Sequence, residues 1–244
     1  MDVASASSAL ANGIIADQWA TVASLQKRDM SPEDLAKLTE GLDAFIDLLF
    51  CQLQSLRVRL EDAGFIFALP DHALRATTDE DIAAIDAFIK KYGCLPLSVE
   101  AWYRRIASFN FGQDGSQMFD RSHGFYFMHR FHQFTMPPIS TACTSRWDDM
   151  IGWEGDDEEH LTDDGKVLFP MEESGMDEDW KGFAMPDGSV DPVIDPETGT
   201  TFLLWAKFQT RWGGFGALAE AMKRSAADGV TTEFVERAFR SDDE

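Results

Sequence analysis

Eight apolar residues constrain the fold of this chain more than any other feature. Leu35, Leu38, Leu42, Phe45, Leu49, Leu53, Leu56 and Leu60 succeed one another at spacings of 3, 4, 3, 4, 4, 3 and 4. Only a helix puts such positions on a single face. Ser31-Pro32-Glu33-Asp34 supplies its start: a hydroxyl cap, a proline suited to the first turn, and two carboxylates at the positive end of the dipole. Gly64 supplies the stop. The predicted helix runs to about Asp62, and at 1.5 Å per residue it is roughly 45–50 Å long. Gly41 is the position where it would split in two. A helix lying on its own domain's sheet is the expected use of the stripe. A seam between two copies, making the chain a scaffold, is the alternative.

A stripe of this kind needs a core to lie on, and the composition provides one. Hydrophobic residues make up 44% of 244, enough for one generous domain or two small ones. The chain carries 43 acids against 21 bases, a net of −22. So negative a chain is repelled by nucleic-acid phosphate and by anionic membranes. No stretch approaches the ~18 apolar residues of a membrane helix. The opening Met-Asp-Val-Ala-Ser-Ala-Ser has no basic region and no long apolar block, which argues against a secretory signal. Cys51, Cys94 and Cys143 are an odd, widely spaced set without Cys-x-x-Cys, and read as reduced thiols of a cytoplasmic protein.

The charge is not uniform. Residues 145–199 hold 18 acids and 3 bases, a net of −15, while 1–144 carry −6 and 200–244 carry −1. Concentrated acidity reads either as one strongly negative face or as solvated loops that keep the protein soluble.

The remaining pattern is helices, then strands, then helices. Residues 1–13 are small and polar and are expected to be a flexible tail. Ile15, Trp19, Val22 and Leu25 read as a short helix, so that 14–64 forms an N-terminal helical segment packed on the main domain. Phe65-Ile66-Phe67-Ala68-Leu69 reads as a strand closed by Pro70-Asp71. Thr78-Asp79-Glu80-Asp81 is a second capped start, with Ile82, Ile85, Phe88 and Ile89 facing inward and Gly93 at the end. Leu95-Pro96-Leu97 is an extended connector, after which Ser98 is expected to cap a helix bearing Trp102, Tyr103 and Ile106. Alternation at Phe109-Asn110-Phe111 and over 125–134 marks strands. Helical signals return at Thr201-Phe202-Leu203-Leu204, break at Gly213-Gly214-Phe215-Gly216, and resume over 217–227. This order predicts an α+β fold, a mostly antiparallel sheet flanked by N-terminal and C-terminal helices.

Motifs of catalysis are largely missing. The glycines at 213–216 lack a preceding strand and the Lys-Ser/Thr of a phosphate loop, and no Gly-x-Ser-x-Gly elbow occurs. His129 and His132 sit three apart on an expected strand and so point to opposite faces, which keeps one strand from offering both to one metal. A small cytoplasmic hydrolase or metal enzyme using His129 or His132 with a nearby carboxylate is the competing enzymatic reading. The acids around Glu154, Asp163 and Asp164 fit no calcium loop: were Gly165 the turn glycine, His160 would stand where the first Asp belongs. No catalytic residue, metal or cofactor is therefore expected. Aromatic residues are more telling. Trp102, Trp205 and Phe202 are expected in the core. Trp153 and Trp180, flanked by acids, suit an exposed binding face of apolar anchors ringed by charge.

Several segments together resemble the SUKH superfamily, proteins similar to the yeast Smi/Knr cell-wall regulator and to many bacterial immunity proteins. They are Leu95-Pro96-Leu97-Ser98-Val99-Glu100-Ala101-Trp102-Tyr103, Met185-Pro186-Asp187, Asp191-Pro192, Thr200-Thr201-Phe202-Leu203-Leu204-Trp205 and Arg211-Trp212-Gly213-Gly214-Phe215. The resemblance covers roughly 79–216, without a match over 109–161, and the helix before Gly64 is an addition to it. It implies a SUKH-like α+β domain over 65–240 that binds another protein and carries no catalytic residues. In toxin–immunity (toxin–antitoxin) loci such members block a toxin, often a nuclease. A nuclease is usually basic, so the partner expected here is a basic protein, met by a monomer or homodimer in the cytoplasm. The expected partner-binding residues are Trp153, Glu154, Asp156, Asp157, Glu158, Glu159, Asp163 and Asp164 in one segment, with Glu172, Glu173, Asp177, Glu178, Asp179 and Trp180 in a second.

Overall fold

The computed structural model of the chain describes residues 2–15, 19–112, 135–136, 139–141, 161–162, 164–174 and 179–211. The leucine stripe forms one unbroken helix, α3 (Pro32–Asp62). Ser31 caps it by accepting from Asp34 N, and Gly64 follows it at φ +89°. Leu38, Leu42, Phe45, Leu49, Leu53, Leu56 and Leu60 are all buried within this one chain, and Leu35 packs against them. The stripe is thus core, and the scaffold reading loses the seam it needed.

Gly41 does not split α3, because its missing side chain is where another helix lies. The segment expected as a tail is α1 (Val3–Ala11), whose Ala6 and Leu10 are buried on α3. Ser7 Oγ donates to the Lys37 carbonyl at 2.6 Å, and a Cβ on Gly41 would fall 2.6 Å from that hydroxyl oxygen. Small residues that look tail-like in sequence are what allows this approach. After α1 comes α2 (Trp19–Ala23).

Among the described residues, 65–69 do not form a strand. Phe65 and Phe67 are buried, with ring centroids 5.0 Å apart, and Phe67 meets Phe111 at 5.1 Å. Their alternation serves an extended connector packed on the core, in which Phe67 is a single bridge position and Ala68 N donates to Gly112 O at 2.8 Å. The strand forms further on, as β1 (Leu74–Ala76). Helix α4 (Asp79–Tyr92) starts with the expected capping box between Thr78 and Asp81 and ends at Gly93. Helix α5 (Leu97–Tyr103) starts two residues earlier than expected, with Pro96 at the cap in place of Ser98. Strand β2 (Ile106–Asn110) is buried throughout and lies between β1 and β3 (Thr135–Met136), antiparallel to both.

Two further antiparallel pairs follow: β4 (Val167–Ser174) with β5 (Asp179–Met185), and β6 (Val193–Asp195) with β7 (Thr200–Thr201). Helix α6 (Phe202–Arg211) closes the described part. Trp102 and Phe202 are fully buried, edge to face at 5.8 Å, and Trp205 is buried beside them. The class is α+β, with small antiparallel sheets and α3 packed against α1, α5, α6 and β1. No helix among the described residues is long and apolar enough to cross a membrane.

Candidate functional site

The acid-rich segment 145–199 enters the described structure as a hairpin. A tight turn introduces it: Thr162 N donates to the Lys166 carbonyl at 2.8 Å, and Gly165 sits at φ +75°. Asp164 lies exposed in that turn. Lys166, 2.6 Å away, is the main reason its carboxyl is held down to about 2, with Thr162 adding a second hydrogen bond. Its charge is therefore paired locally.

From the turn, β4 runs outward and β5 returns. Near the turn, Phe169 stands opposite Phe183. The two rings stack at 4.9 Å and 11°, and Phe169 also meets Phe88 and Tyr103 edge-on at 6.0 and 6.1 Å. These aromatic contacts root the inner end of the hairpin between α4 and α5. Past Pro170 the register slips, with Met171 the extra residue of a bulge. Beyond the bulge the pairs are Glu172 with Lys181, Glu173 with Trp180, and Ser174 with Asp179. Four of the expected binding residues thus gather at the outer end of one rooted hairpin. Asp164 lies at the other end, about 20 Å away at 3.3 Å per strand residue. Asp164 and these four residues therefore do not share one short loop. Trp153, Glu154, Asp156, Asp157, Glu158, Glu159, Asp163, Asp177 and Glu178 lie outside the described residues, as do His129, His132 and His160. Among the described residues, no group of three or more His, Cys, Asp or Glu could hold a metal ion.

What fixes the returning end of the hairpin is a junction that the sequence did not announce. After Met185 the chain threads between the region after α2 and the start of α5. Asp187 N donates to Cys94 O, Leu97 N to Ser189 O and Ser98 N to Val190 O. On the other side Lys27 N donates to Gly188 O, Val190 N to Leu25 O and Asp191 N to Ala23 O. At the centre lies Asp191, 2% exposed. Its Oδ2 accepts from Trp19 Nε1 at 2.7 Å, and its Oδ1 accepts from Ser98 Oγ at 2.7 Å and Leu203 N at 3.1 Å. Ser98 is thus no cap of its own helix: its hydroxyl turns to Asp191, which in turn satisfies a free N–H in the first turn of α6. Burial, the strongest influence, pushes the Asp191 carboxyl up, against the pull of the Ser98 and Trp19 donors.

A second, less buried cluster braces the same junction. Lys27 Nζ lies 3.2 Å from Glu100, which also pairs with Arg104 at 2.8 Å, and Arg104 reaches Asp86 of α4 at 3.6 Å. Burial works to raise the Glu100 carboxyl, but Arg104 and Lys27 outweigh it and hold the group below its ordinary value. The segments around Leu95-Pro96, Asp191-Pro192 and Thr201-Phe202 therefore meet at one place, where their role is to hold backbone. Comparison of the chain with protein-family models, with curated proteins and with solved structures finds no match.

Proposed function

We propose that the chain is a non-enzymatic protein-binding domain of SUKH-like type, acting in the cytoplasm as an immunity protein that neutralises a basic toxin such as a nuclease. One observation carries the reading: a net of −15 is concentrated in residues 145–199 of a chain whose other parts are far closer to neutral. A charge so placed steers a basic partner to one side of the molecule and competes there for the groups that would hold phosphate. The rooted hairpin supports it, since a rigid inner end offers the acids of the outer end with little ordering cost.

The test is charge reversal on both segments. Asp156, Asp157, Glu158 and Glu159 are changed to Lys in one variant, and Glu172, Glu173 and Asp179 in another. Protein captured from the native host by the wild-type chain is identified, and its association is timed in stopped flow at low salt. The expected result is an on-rate about tenfold lower or more, with a weaker salt dependence. An unchanged on-rate at low salt in both variants refutes the reading.

A further inference from the structure

We draw no further inference here: the strongest candidate, the exposed apolar face formed by Ile14 after α1, Leu48 of α3 and Leu204 and Phe208 of α6, carries none, because nothing in the structure shows what covers it.

Discussion

Asp191 receives three donors that differ in what they tolerate. The Trp19 indole can only donate, the Leu203 amide can only donate, and the Ser98 hydroxyl can reverse and accept. Asp191→Ala leaves the first two buried without an acceptor, and a loss of about 3 kcal/mol is expected in chemical denaturation. Asp191→Asn is milder. Its carbonyl oxygen serves Trp19, its amide donates to a reversed Ser98, and the Leu203 amide loses its shorter bond, a cost of about 1 kcal/mol. The pH dependence has a definite sign. Because the folded carboxyl is raised above the ordinary 3.8, its contribution is fully present below that pH and is lost as pH rises through the folded value. The stability gap between wild type and Asp191→Asn should therefore be widest in acid and narrow as pH rises above 3.8. Asp81 runs the other way. Burial opposes it, but Arg75 at 2.6 Å and the Thr78 cap win and lower its pKa. Its contribution is present above 3.8 and is lost as pH falls through the lower folded value. Denaturation curves of the two proteins at stepped pH check the Asp191 trend, and a gap that does not narrow refutes it.

Elements whose cause is local are legible in the sequence alone. The Ser31 and Thr78 caps, the glycine stops at 64 and 93, and the stripe of α3 depend on residues within a turn or two of one another, so spacing suffices to find them. Elements whose cause is a distant neighbour are not. The alternation of Phe65 and Phe67 is equally at home in a strand and in a connector pinned on Phe111, and only the partner decides. Ser98 looks like a cap until an aspartate 93 residues away takes its hydroxyl. Gly41 looks like a break until α1 is laid on it. That last case gives a prediction opposed to helix propensity. Gly→Ala inside a helix ordinarily gains about 1 kcal/mol. Here the new methyl would meet Ser7 Oγ, O and Cα at 2.6, 2.7 and 2.8 Å. Gly41→Ala should instead lose about 1–3 kcal/mol, with hydrogen exchange faster over residues 3–11 than elsewhere. An unchanged or raised denaturation midpoint would contradict the packing described.

At the scale of the whole molecule the charge acts against the fold. An excess of 22 acids repels itself more in the compact state than in the unfolded chain. Raising sodium chloride from about 0.01 M, where the screening length is roughly 30 Å, to a few tenths molar should raise the melting temperature by several degrees. A lower melting temperature in salt would mean that the ion pairs around Glu100, Arg104 and Arg105 outweigh the repulsion. The acid-rich segment is visible in the sequence as a number; that Glu172, Glu173 and Asp179 stand at the outer end of a hairpin, apart from Asp164, is not. Register and a bulge decide that separation, and neither leaves a mark in composition.

The Asp191 junction also sets an order of events during synthesis. Its donors stand 172, 93 and 12 residues away along the chain. A nascent chain can build α3 and α4 as soon as they emerge, since their signals are local. Trp19 meets its native carboxylate only after some 170 residues more have been translated. The Trp19 indole therefore lacks its native acceptor until Asp191 has been made. The junction makes completion of the fold a late and long-range event, the kind of contact that slows folding most.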